Sequence, residues 1–219
     1  KEGKQPWLSA CIGRPGLATM KNDLYNYHEL SDIFRYFSPQ VYCNAIDVRR
    51  QTEKLVKTVG SDQALPVLCL GSNGIDRFVW EPGDLRANIL EVLFAGAKGY
   101  SLWGWHYGHL GIFAEVAETN GAIAENEDVF ADGKKTNNFW IENQIRQFAT
   151  VLETDKGGLL LISNYTKTSR TKVMVRKRTG NVYKLIEVFT GEKISLTAGQ
   201  SLFTIKVKPG MVKLFKWTN

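Results

Sequence analysis

From Trp7 onward two kinds of hydrophobic pattern take turns along the chain. Residues 7–12 form a short apolar run closed by Gly13-Arg14-Pro15-Gly16, which predicts a strand ending in a tight loop. Tyr27, Leu30, Ile33, Phe34 and Phe37 follow at helical spacing, and Ser38-Pro39 is expected to stop that helix. Residues 41–46 are strand-like again. Residues 49–59 predict a helix with Leu55, Val56 and Val59 on one face and Gly60 at its end. A third strand is expected over 65–70. Asp84 is suited to cap a helix over 85–97 that Gly99 ends, and 100–105 predicts a fourth strand.

Near-continuous apolar strands separated by helices are buried on both faces and run parallel. The first 156 residues therefore predict an α/β fold of four parallel βα units. A long loop over 106–136 and a last helix over about 137–152, carrying Trp140, Ile141, Ile145 and Phe148, complete that domain. Residues 157–219 differ. Short runs at 159–163, 172–176, 182–188, 202–207 and 212–217 are punctuated by Thr190-Gly191, Ala198-Gly199 and Pro209-Gly210. That pattern predicts a separate antiparallel β-sandwich.

Charge sharpens the division. The net charge of +6 over 219 residues combines +10 in residues 157–219 with −4 in the remainder. A basic module can meet polyanions. Here the lysines alternate with apolar residues, as on solvated strand faces, and no arginine-aromatic platform for nucleic acid accompanies them. No apolar run is long enough to span a membrane, and no signal peptide opens the sequence. A start at Lys1 is the expected mark of an excised fragment. Cys11, Cys43 and Cys69 lie in apolar runs and read as buried thiols. They leave the compartment open, with an extracytoplasmic one (secreted or periplasmic) favoured.

Candidate chemistry gathers in "GAKGYSLWGWHYGHLG", residues 96–111. Trp103 and Trp105 are two apart and share one side of the fourth strand. Trp103 either fills the interior or joins a rim with Trp105, His106, Tyr107 and His109. His106 and His109 alone fall short of a zinc signature, so no metal is expected. Gly-x-Gly-x-x-Gly, phosphate-loop, Gly-x-Ser-x-Gly and Cys-x-x-Cys motifs are missing from the sequence, so no cofactor is expected either. Cys69 beside His106 has the residue types of a nucleophile and base, but a mid-strand cysteine in an apolar run reads as inert. Asn164-Tyr165-Thr166 matches an N-glycosylation sequon.

Three stretches carry a family resemblance. "NILEVLFAGAKGYSLWGWHYG" is similar to the seventh helix and eighth strand of many (β/α)8-barrel glycoside hydrolases. "GGLLLISNYT" and "FTGEKISL…FTIKVKPGMVKLFKW" are similar to the β-domain that follows such barrels. The resemblance implies that residues 1–156 are the C-terminal half of a barrel and 157–219 its appended sandwich. It implies a glycosidase incomplete as this chain, whose partners are an oligosaccharide or polysaccharide and either a missing N-terminal half or a second copy covering the open sheet edges. Chemistry would then sit at the C-terminal ends of the strands.

Glycoside hydrolysis generally needs two carboxylates. The third strand ends Leu70-Gly71-Ser72-Asn73 with no acid, so the acid position that the resemblance would place there is empty. Asp47, directly after the presumed sixth strand, occupies the place where α-glycosidase-like barrels carry an acid/base aspartate. Its alternative is to cap the following helix or to pair with Arg49 or Arg50. Asp76 is the second candidate, and Glu81, Glu115 and Glu118 lie on loops expected to reach the rim. Arg14 and Asn73 are candidate sugar contacts, although Gly-Arg-Pro-Gly is equally a plain turn. A second class of function stands beside the enzyme: a carbohydrate-binding or scaffold fragment that needs only the aromatic rim.

Overall fold

The computed structural model describes residues 33–70, 81–104, 110–142, 144–178 and 183–218, together with the backbone of 9–10. The fold is mixed α/β with mostly antiparallel sheets, and it divides into two compact units, Lys1–Val116 and Ala117–Asn219.

In the first unit, strand β1 (Ser9–Ala10) pairs parallel with β2 (Tyr36–Phe37). Parallel bridges carry the extended chain onward, Phe37 to Ala64 and Gln40 to Val67. Strand β3 (Val67–Cys69) then pairs parallel with β4 (Ser101–Trp103). Every residue of β3 is buried, as expected of a strand covered on both faces. Helix α1 (Ala45–Val59) links β2 to β3, and α2 (Asp84–Ala95) lies between β3 and β4. The expectation of four full parallel βα units is corrected to this: among the described residues the parallel pairing is two or three residues long at each step, in two small sheets, and no closed barrel is formed.

Local boundaries moved for identifiable reasons. The segment expected as a strand over 41–46 is extended only up to Val41, whose N–H donates to the Val67 carbonyl, and α1 begins at Ala45. Asn44 forces the change: its side chain caps the helix four residues earlier than the apolar spacing indicated. The helix expected to run through Phe37 has its C-terminal end in β2 instead, and Pro39 sits in extended backbone accepting the Val67 N–H. Helix α2 ends at Gly96, left-handed with φ 110°, rather than at Gly99. Its cap is Gly83, with Asp84 the first helical residue. Nearly the whole of α2 is buried. Glu91, fully buried, meets Arg49 of α1 at 3.0 Å, and that pair locks the two helices in register.

The region expected as a loop over 106–136 holds helix α3 (Leu110–Ala124), which spans the division between the units, and α4 (Glu127–Asp132). The expected helix over 137–152 is strand instead. A six-stranded sheet has the order β11 (Lys193–Leu196), β10 (Tyr183–Glu187), β13 (Val212–Thr218), β8 (Gly157–Asn164), β7 (Gln147–Thr154) and β5 (Lys134–Thr136). A three-stranded sheet has the order β12 (Leu202–Lys206), β9 (Lys172–Lys177) and β6 (Phe139–Trp140). All these pairings are antiparallel. The boundary expected between residues 156 and 157 falls at the turn of the β7–β8 hairpin.

Both sheets bury side chains in one core, with Leu160, Tyr183, Phe215 and Trp217 from one and Phe139, Val175 and Phe203 from the other. This is the arrangement of a sandwich. Phe139 packs 4.9 Å from Tyr183 and 5.8 Å from Trp217, ring centroid to ring centroid. Lys177, opposite Phe139, is the one buried cation among the core positions described: its Nζ donates to the Arg178 carbonyl and lies 5.6 Å from the centre of the Tyr183 ring. Desolvation pushes its ammonium below the ordinary lysine value.

The Trp217 ring fixes one small residue. A Cβ on Gly158 would lie 2.4 Å from Trp217 Cζ2 and 2.6 Å from the Leu152 carbonyl oxygen. Both neighbours are held by the sheet, so neither yields cheaply. Gly158→Ala should cost about 2–3 kcal/mol by overpacking. A urea melt of the variant with an unchanged midpoint would show that the indole moves freely.

Candidate functional site

In parallel α/β arrangements the chemistry collects beyond the C-terminal ends of the strands. Two described segments lie there: the turn from Val41 into α1, and the end of β4. They meet through rings. Trp103 is 40% exposed at the end of β4 and stacks on Tyr42, centroids 5.7 Å apart and planes inclined by 23°. Of the two roles open to Trp103, the exposed one is realised. Tyr42 was missed from the sequence because 41–46 read as a continuous strand. Its signal was an aromatic residue at a strand end, the same signal that picked out Trp103.

Asp47 occupies the first turn of α1. Its N–H donates to Asn44 Oδ1 at 3.2 Å, and its Oδ2 accepts from Asn44 Nδ2 at 3.0 Å. Asn44 thus caps the helix through its Oδ1, and its amide nitrogen also holds the Asp47 carboxylate, side chain to side chain. Arg50 reaches Asp47 Oδ1 at 3.4 Å, an exposed contact worth little by itself. The capping role and the Arg50 pairing that the sequence left open are therefore both present.

Glu115 is spent elsewhere than on a rim. From α3 its two carboxylate oxygens accept the N–H groups of Gly83 at 2.9 Å and Arg86 at 2.6 Å. It thus supplies, from a distant helix, the N-terminal cap that Gly83 cannot give α2. Asp84 sits beside it, and burial first, then the charges of Glu115 and Glu81, raise its carboxyl above the usual aspartate range. A group raised in this way binds its proton more tightly when folded. Its contribution therefore favours folding more as pH falls through its folded value. Glu81 and Glu118 are exposed.

Cys69 is buried within β3, opposite Trp103, and Cys43 is half-buried with its sulfur accepting from Gln51 Nε2 at 3.5 Å. Neither is in a disulfide. Arg14, Asn73, Asp76, Trp105, His106, Tyr107, His109 and Cys11 lie outside the described residues. Among the described residues no helix is long and apolar enough to cross a membrane.

The sequon reading of Asn164 is overturned. Asn164 is fully buried, and its Nδ2 donates to the carbonyls of Arg170 and Val207, each at 2.8 Å. The nitrogen a glycan would need is consumed by the fold.

No protein-family model matches the chain, and no curated protein sequence matches it. Solved structures do. A GH27 β-L-arabinopyranosidase from Geobacillus stearothermophilus superposes with a TM-score of 0.62 at 14% identity, over 95% of this chain and 50% of that one. The α-galactosidase I of Mortierella vinacea gives 0.55 at 9% identity, over 85% and 54%. A noncanonic maltogenic α-amylase from Thermotoga neapolitana gives 0.55 at 13%, over 89% and 54%. At these identities the likeness is one of fold alone. The chain spans about half the length of those proteins.

Proposed function

We propose that the chain is part of a carbohydrate-active glycoside hydrolase, contributing the C-terminal βα units of a (β/α)8 barrel and the β-sandwich that follows them. One observation carries the reading: the fold likeness covers most of this chain and about half of several glycosidase chains that differ among themselves in substrate by name. The cleft is assigned to the C-terminal side of the parallel strands. Tyr42 and Trp103 offer a ring face for the apolar C–H side of a sugar. Asn73, Asp76, Trp105, His106, Tyr107 and His109 are assigned to its rim, with Arg14 as a further sugar contact. Asp47 is the candidate for one of the two carboxylates.

A lone carboxylate cannot do both halves of the reaction, so the 219-residue chain by itself should bind sugars weakly and turn over negligibly. The test is a longer chain, extended upstream by about four further βα units, on the order of 200 residues. It should hydrolyse aryl glycosides at least about a thousandfold faster than the short chain. An extended chain carrying those units and showing no turnover on a panel of α- and β-glycosides would sink the enzyme reading. The second reading, a carbohydrate-binding or scaffold fragment, would then stand. It has one observation in its favour: both carboxylate oxygens of Asp47 are already engaged.

A further inference from the structure

The outer face of the small sheet is the place where the second unit departs from a plain solvated surface. Strands β9 and β12 alternate strictly, and their outward residues are Lys172, Met174 and Arg176 on one and Leu202, Thr204 and Lys206 on the other. Leu202 lies directly opposite Arg176, and Thr204 opposite Met174. On the far side of Arg176, in the same row, stands Trp140 of β6, 38% exposed. Met174 and Leu202 are 60% and 43% exposed, so the sheet leaves a connected apolar strip in water.

Met174 and Leu202 of that strip floor a groove of about 630 Å³, and Trp140 lies in the neighbouring strand outside its lining. The segment carrying Glu142, Gln144 and Gln147 lines it together with the turn of Ser169, Arg170 and Thr171. A second concavity of about 610 Å³ shares Gln144 and Arg170 with it and adds Arg146 and Lys167. The charge is one-sided. Glu142 is the only acid in either lining, and it is already bound to Arg176 Nε at 2.7 Å. Arg170 and Lys172 are exposed and make no ion pair among the described residues.

We infer that this groove binds an acidic oligosaccharide, a chain of sugars bearing carboxylates. The inference rests on the carbohydrate-active reading of the chain and adds a second site to it, distinct from the strand-end cleft. Three features fit such a ligand together. The aliphatic floor of Met174 and Leu202 matches the apolar faces of pyranose rings. The amide of Gln144 with the hydroxyls of Thr171 and Thr204 matches sugar hydroxyls. Arg170 and Lys172, without carboxylate partners among the described residues, match the ligand's own carboxylates, arginine in bidentate fashion. A nucleic acid fits less well, because successive bases need successive aromatic platforms and the floor offers aliphatic side chains.

The 219-residue chain should be titrated calorimetrically with tetragalacturonate, maltotetraose and a short oligothymidylate. Tetragalacturonate should bind at least about tenfold tighter than the other two, and should weaken as salt rises from 0.05 to 0.5 M. The double variant Arg170→Ala/Lys172→Ala should lose about tenfold or more of that affinity with an unchanged melting temperature, since both side chains are solvent-facing. Equal binding of maltotetraose, tighter binding of the oligothymidylate, or full affinity in the double variant would each overturn the assignment. Its failure is separable from that of the enzyme reading. An extended chain that hydrolyses glycosides yet ignores tetragalacturonate loses only the groove, whereas one that binds tetragalacturonate without turnover loses only the catalytic half.

Discussion

Asn164→Ala should lower the unfolding free energy of the second unit by about 3–5 kcal/mol, the largest stability loss expected from a single polar side chain here. The side chain is fully buried and both ends are in use. Its Nδ2 donates to Arg170 and Val207, and its Oδ1 accepts from Thr166 Oγ1 at 2.8 Å and Gln147 Nε2 at 3.2 Å. Removing it strands the Val207 carbonyl and the Gln147 amide in buried surroundings and the Arg170 carbonyl in partly buried ones, each buried group costing about 1–3 kcal/mol, and leaves a cavity besides. The residue joins the end of β8 to the turn before β9 and to the end of β12, so both sheets lose an anchor. Asn164→Asp is the sharper control. It keeps the shape but replaces the donating amide with a carboxylate oxygen that faces two carbonyl acceptors, and it should be at least as damaging as alanine. Guanidinium melts measure both. A loss under about 1 kcal/mol for either would mean that the turn rearranges to satisfy itself.

The same residue illustrates what a local motif conceals. Asn-Tyr-Thr satisfies the glycosylation pattern, and nothing adjacent in sequence reveals that the asparagine's partners are six and forty-three residues away. The strand and helix errors have the same origin. Residues 137–152 carry Trp140, Ile141, Ile145 and Phe148 at spacings compatible with a helix. Trp140 is instead in β6, paired with β9, and Phe148 in β7, which pairs along its whole length with β8 across the two-residue turn Asp155-Lys156. The decisive contacts were nonlocal, and propensity does not see them. Conversely, the strands from 157 onward alternate apolar with lysine, and there the sequence located β8, β9, β10, β12 and β13 closely. Helix α3 was legible and overlooked. Ile112, Val116, Thr119 and Ala122 bury one face at helical spacing, and the alanines of the segment favour a helix as well.

For the candidate site, the sequence could name residue types and strand ends but could not say which side chains were already engaged. Glu115 looked available on a loop and instead caps α2 from a distant helix. Trp103 looked like either core or rim; it is 40% exposed and stacks on Tyr42, a pairing across sixty-one residues.

Asp47 is where these two kinds of reading must be separated by experiment, and one substitution does it. In the extended chain, Asp47→Asn should lower kcat for aryl glycosides by about a hundredfold to ten-thousandfold, because an amide neither gives nor takes the proton nor attacks carbon. Stability should change little. Asparagine retains an oxygen that Asn44 Nδ2 can donate to, its backbone N–H still meets Asn44 Oδ1, and the Arg50 contact it weakens is solvent-exposed. The expected cost is within about 1 kcal/mol. Asp47→Ala removes the cap contact as well, and should lose activity equally while losing up to about 1 kcal/mol more. The two variants thus divide chemistry from capping: a catalytic carboxylate makes them alike in turnover and different in melting temperature. If Asp47→Asn instead kept near-normal turnover with a normal melting temperature, Asp47 would be a helix cap alone. The acid would then have to be sought at Asp76 or in the extending segment.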